Sequence, residues 1–165
     1  MRTPILASAV LAILAAAAAA KPLPAGMKVV VVKNRPMVTQ GGFTVPLFDG
    51  EEEGVGDTAK ASLSDDGKTL HVIWDRCGTG DDGSGGYEVP FAHVTARLEN
   101  YAGMAAHLKK KYADAIAHFT TAVNDNPDEP MFATNLLSAQ SMAGKLDDAD
   151  QTLATYGPKN PAWFV

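Results

Sequence analysis

The sequence predicts an α+β protein, in which a small antiparallel β unit over residues 27–90 precedes a helical part over residues 91–165. In the first region, short runs of β-branched and aromatic residues alternate with glycine-containing turns, a pattern typical of β-strands. In the second region, glycine becomes rare and apolar residues recur every three or four positions, which is the spacing of amphipathic helices.

Residues 1–20 have the layout of a secretory signal peptide. A positive charge at Arg2 is followed by an apolar run and an alanine tract, and the alanines at positions 18 and 20 form an Ala-x-Ala cleavage site before Lys21. We therefore expect an exported protein, either periplasmic or secreted. The alternative is an uncleaved membrane anchor, for which the apolar run is short. Residues 21–26 contain two prolines and are expected to form an extended linker.

The composition narrows the classes of partner. The chain has 14 lysines and arginines against 19 aspartates and glutamates, and because phosphate binding needs clustered basic residues, we expect no nucleic-acid partner. After cleavage of the signal peptide, no stretch is apolar enough for a stable membrane span. Cys77 is the only cysteine, so no disulfide within the chain is expected and stability must come from packing.

Turn residues divide the first half of the β unit into three segments. Residues 29–32 are a β-branched run, and the sequence Asn-Arg-Pro at residues 34–36 predicts a turn before the second strand. Gly41-Gly42 predicts a tight turn, because glycine readily adopts positive φ, and residues 43–45 form the third segment.

The second half of the β unit contains a strong hairpin signal. Residues 65–68, Asp-Asp-Gly-Lys, lie between strand patterns at residues 59–64 and 69–76. The second strand places three apolar side chains on one face, Leu70, Val72 and Trp74. Residues 78–86 predict a glycine-rich loop, and residues 87–89 predict a short strand or bridge.

The helical part is predicted to contain paired helices. In its first helix, five apolar residues at helical spacing share one face: Val94, Leu98, Tyr101, Ala105 and Leu108. Proline-containing turns at residues 126–127 and 129–130 separate the pairs, and Gly157-Pro158 is predicted to end the last helix.

The helices repeat with a fixed period. Four pairs of residues are each 34 positions apart: Tyr112 and Leu146, Ala115 and Ala149, Phe119 and Leu153, and Pro127 and Pro161. This region therefore resembles two tetratricopeptide repeats, one over residues 99–129 and a second over residues 130–161. Gly103 stands at the small position of the first repeat, whereas Leu137 replaces it in the second.

The resemblance implies a protein-interaction role, since such arrays bind peptides or partner domains on the concave face formed by the first helix of each repeat. Eight residues are expected on that face by matching positions: Arg97, Tyr101, Met104, His107, Met131, Thr134, Asn135 and Ser138. The carboxylate clamp of chaperone-binding members is not expected, because Asn100 and Met104 stand at two of its positions and only Asn135 fits. The expected partner is therefore a protein or peptide that is not recognised through an acidic C-terminus.

Two repeats are fewer than a stable array needs. A repeat buries its faces only against its neighbours, and about three repeats are required for stability. The missing contact must come from the β unit, from a partner, or from a second copy of the chain in a homodimer. The apolar tail over residues 163–165 is expected to cover the last helix.

No catalytic residue, metal site or cofactor is predicted. Cys77 has His71 and His93 nearby in sequence, but no signature of a thiol nucleophile surrounds it. The acidic loops lack the ligand spacing of a calcium site, and His107 and His118 form at most a surface pair.

Two alternatives to an interaction module stay open. One is a small ligand-binding or hydrolase-like β domain with accessory helices, which a deep pocket lined by His71, Cys77 or His93 would favour. The other is a purely structural component of an envelope assembly.

Overall fold

The computed structural model describes residues 21–47, 55–76 and 84–164. Two small antiparallel sheets are followed by four helices, which confirms the predicted α+β class. The expected signal peptide, Cys77 and much of the acidic and glycine-rich loops lie outside the described residues. Among the described helices, none combines the length and the apolar character needed to cross a bilayer.

Each sheet consists of three consecutive antiparallel strands. The first has the order β1-β2-β3, with β1 at Lys28–Val32, β2 at Arg35–Gln40 and β3 at Phe43–Pro46. The second has the order β4-β5-β6, with β4 at Val55–Leu63, β5 at Thr69–Arg76 and β6 at Ser84–Pro90.

The turns of the β unit follow the local sequence, with one correction. Gly41-Gly42 forms the predicted turn with φ of 60° and 86°, and Gly67 has φ of 74° in the predicted hairpin. Lys33 and Asn34 form the turn between β1 and β2, with φ of 49° and 60°. The predicted position of this turn, at residues 34–36, is therefore wrong. Two consecutive positive φ values match the right-handed twist of the flanking strands, and asparagine tolerates them better than most residues.

The last strand of the β unit is longer than predicted. β6 begins at Ser84 and pairs with β5 as far as Pro90, so residues 84–86, which were predicted as loop, belong to the sheet. Backbone pairing with the hydrophobic strand β5 outweighs the low strand propensity of glycine at these positions.

The two sheets share one hydrophobic core. Leu70, Val72 and Trp74 are 0%, 1% and 2% exposed, which confirms the predicted inward face of β5. Val38 and Val45 of the first sheet belong to the same cluster, and β1 lies against β4. The inward apolar residues of both sheets therefore form one cluster, whereas Ile73 on the opposite face of β5 is exposed.

The segment over residues 21–26 is attached to this β unit. The Lys21 N–H donates to the Leu63 carbonyl at 3.3 Å, and the Leu63 N–H donates to the Lys21 carbonyl at 2.9 Å. Leu23 packs against the β core. The segment predicted as a linker is thus held at one edge of β4.

Four helices form two helical hairpins. They are α1 at Phe91–Leu108, α2 at Tyr112–Asp125, α3 at Pro130–Met142 and α4 at Leu146–Tyr156. α4 ends before Gly157-Pro158, as predicted, and two short 3-10 turns follow. Ala115 and Ala122 of α2 are fully buried in a second core between the helices, because the helix crossing leaves room only for small side chains there.

Helix α1 belongs to both cores. Val94 and Leu98 lie in the β core, whereas Ala96 lies in the helical core. Along one face of α1, Val94 and Leu98 are 0% and 7% exposed and Ala105 is half-buried, whereas Tyr101 and Leu108 are 39% and 83% exposed. An 18-residue helix is roughly 27 Å long, and the β core buries this face most fully near its N-terminal end, at Val94 and Leu98. Farther along α1, Phe43 of β3 still lies beside Ala105, whereas Leu108 is open to solvent.

The two ends of the helical array are covered differently. The β unit packs against α1 and supplies the neighbour that the first helical hairpin needs. At the other end, Leu146 and Leu153 of α4 are 63% and 40% exposed. Phe164 and Tyr156 pack against the helical core, so the tail covers part of this end.

Candidate binding groove

A small cavity opens between α1 and α3, and we refer to it as the groove. Its volume is about 160 Å³, and six side chains line it: Met104, His107, Leu108, Phe119, Asn135 and Ser138. Met104 and Leu108 are 42% and 83% exposed, so the groove opens to solvent beside the C-terminal half of α1.

The floor of the groove is the Phe119 ring of α2. This ring is 2% exposed and lies directly against Gly103 of α1. A Cβ atom at residue 103 would be 2.6 Å from Phe119 Cε1 and 2.7 Å from Phe119 Cδ1, which is closer than two non-bonded carbon atoms can approach each other. Glycine at this position therefore allows the ring to lie beneath the groove.

A hydrogen-bonded pair of amides joins α1 and α3 beside the groove. Asn135 Nδ2 donates to Asn100 Oδ1 at 2.8 Å, and Asn100 is 1% exposed. The Asn100 amide also donates to the Met104 sulfur at 3.7 Å, a weak acceptor. Because a buried amide that loses its partner costs about 1–3 kcal/mol, the pair holds Asn135 in one orientation.

Two histidines of the helical part have separate neighbours. The His107 ring stands edge-on to Tyr112, with ring centroids 5.3 Å apart and ring planes at 72°. His118 pairs with Glu99, whose Oε2 is 2.7 Å from His118 Nδ1. In the described parts of the chain, no three histidine, aspartate or glutamate side chains converge to hold a metal ion.

The groove contains half of the surface predicted from the repeat pattern. Four of the eight predicted residues line it together: Met104, His107, Asn135 and Ser138. They come from the C-terminal half of α1 and the middle of α3, which the amide pair holds side by side.

The other four predicted residues lie on the same two helices but outside the lining of the groove. Tyr101 is 39% exposed on α1, and Arg97 is half-buried and already engaged by other groups. Met131 packs against the helical core, and the Thr134 hydroxyl donates to the Pro130 carbonyl at 2.9 Å. The cavity is therefore shorter than the predicted face.

Sequence reasoning missed two residues that line the groove, Leu108 and Phe119, and one residue beside it, Asn100. Leu108 follows Met104 by four positions, and helical spacing alone could have placed the two side by side. The repeat pattern pairs Phe119 with Leu153 but gives no sign that the Phe119 ring reaches the groove. Nothing in the sequence pairs Asn100 with Asn135, because the contact depends on how α1 crosses α3.

A second depression lies on the β unit. It measures about 290 Å³ and includes His71, Ile73 and Glu88 on the outer face of β5 and β6. His71 Nδ1 and Glu88 Oε1 are 2.9 Å apart, and their side chains are 38% and 72% exposed. This pair lies on an open strand surface rather than in the deep pocket that would favour chemistry in the β unit.

No protein-family model, curated protein or solved structure matches the chain. The interpretation of the groove therefore depends on its own geometry.

Proposed function

We propose that the protein is a non-enzymatic interaction or assembly module that binds a protein segment in the groove between α1 and α3. The observation that carries this proposal is the groove itself, where the exposed apolar side chains of Met104 and Leu108 lie beside the buried Phe119 ring. The resemblance of the helical part to tetratricopeptide repeats supports the same class of function. The signal-peptide pattern favours a place in the bacterial envelope or the secreted space.

The exposed residues around the groove are of the types that binding surfaces use. Tyr101, Met104 and Leu108 are exposed, although Val94 and Leu98 of the same helix are buried. Exposed apolar side chains beside a concave site are typical of interaction surfaces. Aromatic residues contribute strongly to binding, and methionine adapts its shape to the partner.

The groove is held from several sides before any partner binds. The contact of Gly103 with Phe119 fixes α1 on α2, and the Asn100–Asn135 pair fixes α1 on α3. A preformed site loses little conformational freedom on binding, which favours affinity. Because the groove is short, we expect a modest affinity unless neighbouring surfaces add contacts.

Selection from a displayed library of random peptides against the immobilised protein tests this proposal. Met104→Ala combined with Leu108→Ala should weaken binding of the selected peptides by about tenfold or more, because two exposed contact residues are lost. The matched control is Met142→Ala combined with Leu146→Ala. These residues are 58% and 63% exposed and do not line the groove.

Both double variants should keep the circular-dichroism spectrum and melting temperature of the parent, since they lose mainly exposed side chains. Full binding by the Met104/Leu108 variant, or equal losses in both variants, would contradict the proposal. A marked loss of stability in the Met104/Leu108 variant would assign these side chains to the core instead.

A further inference from the structure

We propose that the groove recognises one phenylalanine side chain, whose ring enters the cavity between Met104 and Phe119. This inference rests on the proposed function and names the residue that the bound segment must supply.

The volume of the groove fits one side chain of intermediate size. An apolar protein cavity of about 150 Å³ accommodates benzene, and the groove measures about 160 Å³. An indole ring is larger than benzene, and an alanine methyl group would leave most of the space empty. A phenyl ring and a leucine side chain are therefore the best fits by size.

The lining of the groove favours the phenyl ring over leucine. The Met104 sulfur offers a polarizable contact that is favourable with an aromatic ring. The Phe119 ring and the His107 ring, which Tyr112 holds in place, allow edge-to-face contacts with a third ring. Leucine would bury a comparable apolar area without these contacts. The hydroxyl of a tyrosine would be carried toward the apolar floor, where Phe119 offers no hydrogen-bond partner.

Polar groups at the rim of the groove can form hydrogen bonds with the main chain on either side of the phenylalanine. Asn135 uses one amide hydrogen on Asn100, and its carbonyl oxygen and second amide hydrogen make no other hydrogen bond in the described part of the chain. A peptide group likewise offers one donor and one acceptor, so it can pair with both. Ser138 adds an exposed hydroxyl beside them. These groups favour a phenylalanine within a peptide over an isolated aromatic molecule.

Four small probes test the preference: the N-acetyl amides of phenylalanine, leucine, tryptophan and alanine. The NMR signal of the Met104 methyl group reports occupation of the groove, and that of Met37, on β2, is the reference. The phenylalanine probe should bind roughly ten- to hundredfold more tightly than the alanine probe, because a phenyl ring is buried. It should bind roughly two- to tenfold more tightly than the leucine probe, because of the sulfur and ring contacts. The Met37 signal should not change.

A substitution that fills the groove provides the matching control. Ser138→Leu adds a side chain from an exposed position of α3 without removing a contact from either core, and it should abolish the Met104 response. Ser141→Leu makes the same change at another exposed residue of α3 that does not line the groove, and it should leave the response intact.

The outcomes separate this inference from the proposed function. An equal or stronger response to the leucine or tryptophan probe, or no Met104 response to any probe, overturns the assignment of phenylalanine. If none of the probes binds while the Met104/Leu108 double variant still loses its selected peptides, the groove is a binding site for a side chain other than phenylalanine. If the phenylalanine probe binds as expected while that variant keeps its peptides, the proposed function is wrong, but the groove still binds a phenylalanine side chain.

Discussion

Replacing Gly103 by alanine tests how closely α1 and α2 approach beneath the groove. The added Cβ would be 2.6 Å from Phe119 Cε1, whereas carbon atoms in contact are about 3.5–4.0 Å apart, so the ring or the helix must move by about 1 Å. Overpacking of this kind costs about 1–3 kcal/mol. Alanine also raises helix propensity by about 1 kcal/mol, so the net loss in the free energy of unfolding should be up to about 2 kcal/mol.

The Phe119→Leu background separates these two effects, because the smaller side chain removes the ring from the contact. In that background Gly103→Ala should be neutral or stabilising by about 1 kcal/mol, since only the gain in helix propensity remains. The coupling energy between the two substitutions should therefore be about 1–3 kcal/mol. Urea unfolding of the parent, both single variants and the double variant measures it. Additivity within about 0.5 kcal/mol would refute the contact.

Three further predictions concern packing, acid stability and export. Ala115→Leu should lower the free energy of unfolding by about 1–3 kcal/mol, because Ala115 is fully buried between helices and a larger side chain would overpack the site. An unchanged urea midpoint would count against this packing. Hydrogen bonds from the Ser64 hydroxyl and the Lys68 N–H hold the pKa of the Asp66 carboxyl below its ordinary value of 3.8. A pKa lowered by folding stabilises the protein above the unfolded value, and this contribution is lost as the pH falls through the folded value. Below about pH 4, the melting temperature of the Asp66→Asn variant should therefore fall less steeply with pH than that of the parent. The same pH dependence in both proteins would contradict a stabilising role of the Asp66 carboxylate. The exported chain should begin at Lys21, and an intact mass that retains the apolar leader would contradict cleavage there.

The regular elements could be predicted because they depend on patterns within a few residues. Alternation along β5 places Leu70, Val72 and Trp74 on the inward face, since successive side chains of a strand point to opposite sides. The Gly157-Pro158 pair marks the end of α4, because glycine and proline both favour the end of a helix. The Lys33–Asn34 turn was harder to place, because Pro36 is also typical of turns and favoured a turn at residues 34–36.

The groove depends on contacts that local patterns do not encode. The apolar face of α1 has the same spacing throughout, and Val94 is buried whereas Leu108 is exposed because only the first of them lies in the β core. Asn100 and Asn135 are 35 positions apart, and their hydrogen bond follows from the packing of α1 on α3. The repeat pattern therefore indicated the two helices of the site but not its depth or its floor.

Helix α1 should make the β unit and the helical hairpins one cooperative unit. Val94 and Leu98 lie in the β core, while Ala96 lies in the helical core and Asn100 bonds to α3, so separating the two regions would expose both sides of α1. Two helical hairpins alone are also fewer than the roughly three repeats that a stable array needs. We therefore expect both regions to unfold in a single transition.

Two probes within one protein can measure this cooperativity. Trp74 is 2% exposed in the β core and reports on the β unit by fluorescence once Trp163 is replaced by phenylalanine, whereas far-ultraviolet circular dichroism reports mainly on the helices. Val94→Ala removes a fully buried side chain from the β core and should cost about 1–3 kcal/mol. Because α1 joins the two cores, the urea midpoints from both probes should fall by the same amount. A lower midpoint for Trp74 with an unchanged midpoint for the helices would mean that the hairpins are stable without the β unit, and α1 would then not couple the two regions.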